Sequence, residues 1–511
     1  MHHRDAIVLR EPHAAVFDLD GVLVDSARLH SRAWKLTFDS YFTEHGLDDM
    51  FEEDDYRRHV DGRPRYEGVA AFLRSRGIQV PTGDPADEPG FTTQTAIGNL
   101  KNRTFNELLE AEGAEMLPGA AELLEALARE NVPVAVVSSS RNAPKVLPDE
   151  MRRHIRVLLG GGDIDDLDLP GKPDPAMFLE GARQLGVSPA RAAVVEDARA
   201  GVRAGVRGGF AVVVGIDPEG VSNLDLVGAD VVVEGVGQLP KAISGWSDLI
   251  PDPPSALDAQ EVIRTRLGDR PAIFLDYDGT LTPIVDDPAA ANIGDPERTV
   301  LRRLAGRSPL AVISGRGLDD VKGHVGVDGI TYSGSHGFEI ERADGQRFHQ
   351  EEVATVVPEL GGAETALLAE VDGLPGVMIE RKPYAIAVHT RRARDDETRA
   401  KAKELAERVG SKHPDLVVRA GKEIFELRPA LDWDKGAALA HLLELIPGSP
   451  VPMYIGDDDT DEDAFAVVRR RSGIGILVGD ARGAETWAGF TLDNPGETIE
   501  FLAKLGESLD G

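Results

Sequence analysis

Two similar stretches of sequence decide the fold: AAVFDLDGVL at residues 14–23 and AIFLDYDGTL at residues 272–281. In each, a short apolar run leads into two aspartates that are separated by one residue and followed by a glycine. An apolar run of this length, bounded by a turn residue, predicts a strand that is buried on both faces. Because the two stretches lie about half the chain apart, we expect two related domains in tandem.

The break between the domains is predicted at Ile250–Ser255, because its prolines can continue neither a helix nor a central strand. We therefore expect a first domain at residues 1–250 and a second at residues 256–511, with Ser255 capping a short helix that ends near Gly268. Strand-like runs alternate with amphipathic segments, a pattern that predicts parallel sheets covered by helices on both faces. The strand-like runs include Val132–Ser138, Ala192–Glu196, Gly209–Gly215, Leu310–Ser314 and Val451–Gly456, and the amphipathic segments include Ala120–Glu130 and Pro175–Gly186.

The composition of the 511 residues excludes several classes of protein. A net charge of −32 opposes binding to nucleic acid and to anionic membranes, since both repel an acidic surface. No apolar run reaches the ~18 residues that a membrane helix needs, and the first residues lack the apolar region of a signal peptide. The chain contains no cysteine, which excludes disulfides, thiolate catalysis and cysteine-bound zinc, and we expect a cytoplasmic protein.

The aspartate pairs carry the predicted chemistry, because ligands of an open parallel sheet bind beyond the carboxyl ends of its strands. The first aspartate of each pair, Asp18 or Asp276, can attack phosphorus and form an aspartyl-phosphate. The second, Asp20 or Asp278, can protonate the leaving oxygen and then activate water or another hydroxyl. The attack brings an anion onto a phosphate dianion, so Mg²⁺ and a lysine must offset the repulsion. Each domain should therefore carry a further acidic cluster, a lysine and a small hydroxyl residue at other strand ends.

Both domains carry this set in the same order along the chain. The further residues are Ser138, Lys172, Glu196 and Asp197 in the first domain and Ser314, Lys435 and Asp457 in the second. The order resembles the four-motif signature of the haloacid-dehalogenase superfamily, twice in one chain. Two aspartates in the first motif, where the dehalogenase branch has one, favour phosphoryl transfer. The resemblance implies that Mg²⁺ is held by Asp18, Asp20, Glu196 and Asp197 in the first domain and by Asp276, Asp278 and Asp457 in the second.

The spacing of the motifs predicts where each domain carries a cap over its active site. The first domain has its long insertion between the first and second motifs, at about residues 26–117, and this insertion reads as helical. The second has it between the second and third motifs, at about residues 338–424, where strand-like Tyr384–Thr390 and Val417–Val418 alternate with helical segments. Such insertions exclude water and recognise the substrate. The predicted fold is α/β, with two Rossmann-like parallel-sheet domains, the first with a helical cap and the second with an α/β cap.

The second domain resembles trehalose-6-phosphate phosphatases over essentially its whole length. The resemblance rests on the stretches Leu275–Leu281, Ile313–Arg316, Gly334–Gly337, Glu380–Lys382, Val388–His389, Phe425–Pro429 and Ile455–Asp463. It implies that trehalose 6-phosphate is the substrate and that the substrate-binding residues are Arg316, His336, Glu380, Lys382 and Glu426. Carboxylates and a lysine suit sugar hydroxyls and phosphate oxygens. Taken alone, Glu426 with Arg428 also fits a surface ion pair, and Glu380–Lys382 also fits a solvated run of charges.

The first domain resembles β-phosphoglucomutases over most of its length. The matching stretches are Asp18–Val22, His30–Lys35, Gly62–Arg65, Lys101–Asn102, Ser138–Asn142 and Glu196–Asp197. The resemblance implies interconversion of β-glucose 1-phosphate and glucose 6-phosphate, with Arg65, Lys101 and Asn142 as substrate-binding residues. Alternatives stay open: simple phosphatases share these motifs, the first domain also fits a non-catalytic scaffold or effector-sensing module, and the second domain also fits another sugar phosphate. In every case the expected partners are small phosphosugars, with neither nucleic acid nor membrane.

Overall fold

The computed structural model describes residues 10–60, 65–285, 288–350, 353–421, 423–431, 433–480 and 486–509. Gly62, Arg63 and Pro64, part of a stretch that matches β-phosphoglucomutases, lie outside these ranges. The chain divides into two compact units, the first from Arg10 to Leu249 and the second from Ile250 onward. Within the described ranges, no helix is both long enough and apolar enough to cross a membrane.

The first unit is built on six parallel strands with helices around them. Its strands are β1 (Ala14–Phe17), β2 (Val24–Asp25), β3 (Glu115–Met116), β4 (Val134–Val137), β5 (Val157–Leu159), β6 (Ala192–Glu196), β7 (Val212–Ile216) and β8 (Val231–Val233). Its helices are α1 (Ala27–Glu44), α2 (Glu53–Asp55), α3 (Arg65–Ser75), α4 (Gln94–Glu112), α5 (Ala120–Arg129), α6 (Ala143–Val146), α7 (Asp149–Arg152), α8 (Gly161–Asp166), α9 (Ala176–Leu185) and α10 (Arg199–Arg207). The main sheet has the order β5-β4-β1-β6-β7-β8 and every neighbouring pair is parallel, which confirms the predicted α/β fold.

The register of the central strand determines which residues meet at the edge of this sheet. All four residues of β1 are buried, as expected for a strand that is covered on both faces. Its last residue, Phe17, pairs with Val136 of β4 on one side and with Val195 of β6 on the other. Because the three strands are parallel, Asp18 and the residues that follow β4 and β6 emerge at the same edge.

The insertion between β2 and β3 is helical. Its helices α1, α3 and α4 pack around buried aromatic side chains. The ring centroid of Phe38 lies 4.2 Å from that of Phe72 and 5.2 Å from that of Phe51. Such aromatic contacts bury large apolar areas, so they give this cap a core of its own.

The second unit has a larger main sheet and a separate small sheet. Its strands are β9 (Ala272–Leu275), β10 (Leu310–Ile313), β11 (Thr331–Gly334), β12 (Glu339–Glu341), β13 (Arg347–His349), β14 (Met378–Lys382), β15 (Ala385–His389), β16 (Leu416–Gly421), β17 (Ile424–Pro429), β18 (Pro452–Gly456), β19 (Ile474–Val478) and β20 (Phe490–Leu492). Its helices are α11 (Gln260–Leu267), α12 (Asp295–Ala305), α13 (Leu318–Val325), α14 (Val353–Val371), α15 (Asp396–Gly410), α16 (Lys435–Leu445), α17 (Glu462–Arg470) and α18 (Pro495–Ser508). The main sheet has the order β13-β12-β11-β10-β9-β18-β19-β20. It is antiparallel only where β12 pairs with β11 and β13, and Leu275 of the central strand β9 pairs with Val312 and Ile455.

The cap of the second unit is an antiparallel sheet covered by two helices. Its strand order is β14-β15-β17-β16. The helices α14 and α15 pack on this sheet through buried Leu360, Leu367 and Leu405, which meet Ile386 and Leu427 of the strands. The cap is therefore α/β, and β14 and β17 carry the residues for which sequence predicted sugar recognition.

The predicted helix after the proline-rich break begins later than Ser255, so the prediction of Ser255 as its N-cap is wrong. The helix α11 begins at Gln260. Ser255 instead forms an isolated β-bridge with Thr491, and its Oγ accepts a hydrogen bond from the Leu257 N–H at 3.2 Å. The bridge holds Ser255 alongside β20 and residues 256–259 form a turn, so the helix begins four residues later than predicted.

Candidate active sites

In the second unit, Lys435 joins the carboxylates of two aspartates. Its Nζ lies 2.7 Å from Oδ1 of Asp276 and 2.6 Å from Oδ1 of Asp461, and all three side chains are buried. Burial raises the pKa of Asp276 well above its usual value, against the charge of Lys435. Burial also opposes the charge of Lys435, but the two carboxylates raise its pKa. The lysine therefore stays charged while it holds the predicted nucleophile.

Asp461 is a residue of this site that the sequence analysis missed. Its Oδ1 also accepts a hydrogen bond from the Tyr454 hydroxyl, and its Oδ2 accepts from the backbone N–H groups of Asp457 and Asp458, each at 3.0 Å. The acidic run at residues 457–461 was the available signal, but the prediction named only Asp457. The four hydrogen-bond donors hold the Asp461 carboxylate in one position against Lys435.

In the first unit, Lys172 has the same structural role. Its Nζ contacts Oδ1 of Asp18 and lies 2.5 Å from Oε1 of Glu196. Burial raises the pKa of Asp18 to about 7, and the charge of Lys172 acts in the opposite direction. Glu196 is buried and its Oε2 accepts from the Ala198 N–H at 2.7 Å. The structure thus brings Asp18, Lys172 and Glu196 together at the edge of the sheet.

The second carboxylate that binds the lysine is Glu196 in the first unit and Asp461 in the second, and these two residues are not at equivalent positions of the sequence. The registers of the two central strands align Glu196 with Gly456. A Cβ on Gly456 would lie 2.4 Å from Cγ of Asp461, and a Cβ on Gly201 would lie 1.7 Å from Oε1 of Glu196. The acid and the glycine have therefore exchanged positions. In the first unit Glu196 precedes Gly201 by five residues, and in the second Gly456 precedes Asp461 by five residues. In both units the glycine leaves room for the carboxylate that binds the lysine.

Asp197 and Asp457 occupy matching positions, each beside the glycine of its Asp-x-Asp-Gly turn. A Cβ on Gly21 would lie 1.9 Å from Oδ2 of Asp197, and one on Gly279 would lie 2.0 Å from Oδ2 of Asp457. Both glycines have positive φ, 78° and 87°, which residues with side chains rarely adopt. Burial, followed by the charge of Glu196, raises the pKa of Asp197 to about 8. Only glycine allows these carboxylates to lie so close to the turn.

The carboxylates of the second site fit a hard divalent cation. One carboxylate oxygen from each of Asp276, Asp457 and Asp461 lies within 4.8 Å of the other two. Oxygen donors of this kind suit Mg²⁺. Since Asp461 already accepts hydrogen bonds from Lys435, Tyr454 and two backbone N–H groups, Asp276 and Asp457 are the better ligands. The carboxylates also outnumber the cations here, and a divalent ion would offset their repulsion.

The second aspartates of the two pairs have different partners. In the first unit, Asp20 accepts hydrogen bonds from the hydroxyls of Ser26 and Ser138, the latter at 3.2 Å. In the second unit, Asp278 forms a bidentate ion pair with Arg316, with 2.6 Å between Nε and Oδ2 and 2.7 Å between Nη2 and Oδ1. Ser26 was missed by the sequence analysis. Arg316, which was predicted to bind substrate, contacts the predicted acid/base.

The residues of the second cap for which sugar binding was predicted form two groups. Glu426 on β17 accepts hydrogen bonds from Lys382 Nζ at 2.6 Å and from His336 Nε2 at 3.2 Å. Burial acts to raise the pKa of Glu426, but Lys382 and His336 hold it well below its usual value. Glu380 lies apart from this group, with its Oε2 2.7 Å from Nε2 of His389 on the neighbouring strand.

His336 connects this cap group to the loop that follows β10. Its backbone N–H donates to the Ser314 carbonyl at 3.0 Å, and a Cβ on Gly315 would lie 2.8 Å from its ring. Burial lowers the pKa of His336 to about 4, so the ring is neutral at pH 7. The cap pair Lys382–Glu426 is therefore linked through His336, by its ring on one side and its backbone N–H on the other, to the predicted phosphate-binding serine.

The predicted substrate-binding residues of the first unit lie in and near its cap. Lys101 on α4 is buried against two aromatic rings, with its Nζ 2.5 Å from Nδ1 of His30. Burial lowers the pKa of Lys101 to about 7, and the nearby charge of Arg65 acts in the same direction. Asn142 donates from Nδ2 to Oδ1 of Asn102 at 3.0 Å, which joins the loop after β4 to the cap. The substrate contacts of Arg65, Lys101 and Asn142 stay predictions.

Comparison with known proteins matches both halves of the chain. A trehalose-phosphatase family model matches residues 274–494, and a model of haloacid dehalogenase-like hydrolases matches residues 12–209. The trehalose-phosphate phosphatase of Mycobacterium avium is 39% identical over 383 aligned residues, which cover 70% of this chain and 96% of that protein. The chain belongs to the trehalose-phosphate phosphatase family. The match to this relative covers more of the chain than the second unit alone, so part of the first unit is included.

Two further matches describe the relation of this trehalose-phosphate phosphatase family member to other proteins. The C-terminal domain of the C. albicans trehalose-6-phosphate phosphatase is 26% identical, covers 50% of this chain and 98% of that chain, and gives a TM-score of 0.45. An uncharacterized glycosyl hydrolase of Mycobacterium tuberculosis is 38% identical over 520 aligned positions, which cover 96% of this chain. The chain spans 38% of the length of that relative.

We predict that Asp461→Asn destabilises the second unit and lowers its phosphatase activity. Oδ1 of Asp461 accepts from Lys435 and Tyr454, and Oδ2 accepts from two backbone N–H groups, so the NH2 group of an amide would face hydrogen-bond donors at either position. The buried lysine also loses one of its two anionic partners. Breaking a buried ion pair costs about 3–5 kcal/mol, which should appear as a lower urea midpoint. The exposed neighbour Asp459→Asn is the control, with a change within about 0.5 kcal/mol. Equal urea midpoints for the two variants would contradict the role assigned to Asp461.

Proposed function

We propose that the second unit hydrolyses trehalose 6-phosphate to trehalose and inorganic phosphate, with Mg²⁺ as cofactor. The family assignment supports this substrate. The observation that carries the proposal is the contact between Glu426 of the cap and His336 of the core, 3.2 Å apart. It links cap groups that suit a sugar to the loop of Ser314, so a phosphosugar can contact both at once.

The proposed reaction proceeds through an aspartyl-phosphate. A carboxylate oxygen of Asp276 attacks the phosphorus, and the bond between the phosphorus and the sugar oxygen breaks. Asp278 donates a proton to that oxygen as trehalose leaves. Water then attacks the phosphorus of the aspartyl-phosphate while Asp278 accepts its proton, which releases phosphate and restores both carboxyl groups. Ser314 and Lys435 donate hydrogen bonds to the phosphoryl oxygens throughout.

Asp276, Asp457 and the backbone carbonyl of Asp278 would hold the Mg²⁺. When bound, the cation supplies positive charge that offsets the repulsion between the nucleophile and the phosphate. In the cap, Lys382 would donate hydrogen bonds to sugar hydroxyls, and Glu426 would accept them. Because the Lys382–Glu426 pair already exists in the structure, little side-chain entropy is lost when the sugar binds.

For the first unit we propose a second, separate site of phosphoryl transfer on a small phosphosugar. The contacts of Lys172 with Asp18 and Glu196 repeat those of the lysine in the second unit, and this repetition favours catalysis over a scaffold role. The resemblance to β-phosphoglucomutases implies interconversion of β-glucose 1-phosphate and glucose 6-phosphate. In that reaction, Arg65 and Lys101 would bind the phosphate that is not being transferred.

We predict that Asp276→Asn lowers trehalose-6-phosphate hydrolysis by roughly 10³-fold or more, because an amide does not attack phosphorus. Release of inorganic phosphate in the presence of Mg²⁺ measures the effect, and circular dichroism verifies the fold. The exposed Asp459→Asn variant should hydrolyse the substrate at the wild-type rate. Substantial turnover by Asp276→Asn would exclude Asp276 as the nucleophile.

We predict that Glu426→Gln reduces kcat/KM for trehalose 6-phosphate far more than for p-nitrophenyl phosphate. The charged hydrogen bonds to sugar hydroxyls are worth about 1–3 kcal/mol, and only the disaccharide makes them. Glu404→Gln, on the exposed face of α15, is the matched control in the same cap. An equal loss on both substrates would assign Glu426 to folding or to the phosphoryl site.

A fourth prediction tests whether the two sites work independently. Asp18→Asn should leave trehalose-6-phosphate hydrolysis within about threefold of wild type, because each unit has its own nucleophile and lysine. It should also abolish conversion of β-glucose 1-phosphate to glucose 6-phosphate, measured with a trace of glucose 1,6-bisphosphate as primer. A wild-type protein that is phosphorylated on Asp18 without mutase turnover would make the first unit a phosphatase. Loss of trehalose-6-phosphate hydrolysis in a folded Asp18→Asn variant would show that the sites are coupled.

A further inference from the structure

Arg316 is held on several sides within the second unit. Besides its two bonds to Asp278, its Nη1 lies 3.1 Å from Oδ2 of Asp320 in the first turn of α13. Its guanidinium lies over the Tyr277 ring, 5.5 Å from the centroid. Its backbone N–H donates to Oγ of Ser314 at 3.1 Å. Only 11% of the Arg316 side chain is exposed, so its position is determined by the protein rather than by solvent.

We infer that Arg316 is the positioning residue for the acid/base Asp278, rather than a ligand of the phosphate alone. This inference rests on the function proposed for the second unit. The fork of a guanidinium matches the two oxygens of a carboxylate, so the pair fixes both the place and the plane of the Asp278 side chain. The Asp278 side chain is 39% exposed and has room for other orientations, which makes an external constraint necessary.

The comparison between the two units supports this reading. The residue two positions after the predicted phosphate-binding serine is Arg316 in the second unit and Ser140 in the first. In the first unit, the acid/base Asp20 is instead held by two hydroxyl groups, those of Ser26 and Ser138. Each unit therefore constrains its second aspartate through both oxygens, by different residues. If the second aspartate must be oriented in both units, the serine contacts of Asp20 and the arginine contact of Asp278 are both explained. A role of Arg316 in phosphate binding alone would not explain why Asp20 is held as well.

The test measures the first chemical step with two leaving groups of different basicity. A sugar alkoxide needs a proton from Asp278 to leave, whereas p-nitrophenolate leaves without one. Single-turnover release of trehalose from trehalose 6-phosphate and of p-nitrophenol from p-nitrophenyl phosphate reports this step for each substrate. The variants are Arg316→Gln, Arg316→Lys, Asp278→Asn and the Arg316→Gln/Asp278→Asn double variant. The partly exposed Arg342→Gln, whose side chain pairs with Asp344, serves as the matched control.

We expect Arg316→Gln to slow trehalose release at least about tenfold more than p-nitrophenol release, and we expect the same preference for Asp278→Asn. Arg316→Lys should restore little, because an ammonium lacks the planar pair of parallel donors that binds both oxygens of a carboxylate. The double variant should be no slower than Asp278→Asn, since the arginine acts through the aspartate. Release of p-nitrophenol by each variant also shows that it is folded.

Two results would overturn the inference. Equal slowing of both leaving groups by Arg316→Gln, with a further loss in the double variant, would make Arg316 a phosphate ligand that acts independently of Asp278. A wild-type protein that does not cleave trehalose 6-phosphate, or an Asp278→Asn variant without dependence on the leaving group, would overturn the proposed function, and the inference with it. The Asp278→Asn arm therefore separates failure of the inference from failure of the function.

Discussion

A lysine that is buried or nearly so, and that is shared by two buried carboxylates, is the constraint on which each unit of this protein depends. An isolated charge in a protein interior is strongly unfavourable, so neither the lysine nor the aspartate predicted as nucleophile could be buried without the other. The contacts require three segments to end at one place: the strand of the nucleophile, the neighbouring strand that leads to the second acid, and the segment of the lysine. Parallel strands in register meet this requirement, because their carboxyl ends lie at one edge of the sheet. The sheet order around β1 and around β9 thus follows the same electrostatic need.

The two units meet that need with different residues, which shows that the position of the charge matters more than its origin in the chain. Glu196 extends directly from the end of β6, whereas Asp461 reaches the same place from a turn after β18. Each of these carboxylates needs a glycine beside it, Gly201 for Glu196 and Gly456 for Asp461, since a side chain at either glycine would occupy the space of the carboxylate. The caps differ in a similar way. The helical insertion follows β2 in the first unit and the α/β insertion follows β13 in the second, and both units keep the lysine cluster.

The parts of this structure that follow from local sequence could be predicted, and the parts that depend on distant contacts could not. The sequence predicts the strands that lead to Asp18 and Asp276, and it predicts the α/β class with one helical and one α/β cap. These features could be predicted because apolar runs and turn residues determine structure over a few positions. The delayed start of α11 was missed because Ser255 pairs with Thr491, more than two hundred residues away. Asp461 was missed because its charged partner, Lys435, lies on α16, 26 residues away along the chain. The pairing of Arg316 with Asp278 could not be read either, since a motif shows which groups are available but not which of them meet.

The net charge of −32 can be related to function through the contacts in the two sites. Lys172, Lys435 and Arg316 are the obvious groups to attract a phosphate, yet each is already paired with carboxylates. These cations therefore neutralise the sites more than they draw in a dianion. The same acidic field that repels a phosphosugar attracts a divalent cation, whose charge then acts at short range where solvent screens it least. The electrostatics of the chain thus favour the proposed cofactor over long distances and would leave recognition of the proposed phosphosugar to contacts inside the sites.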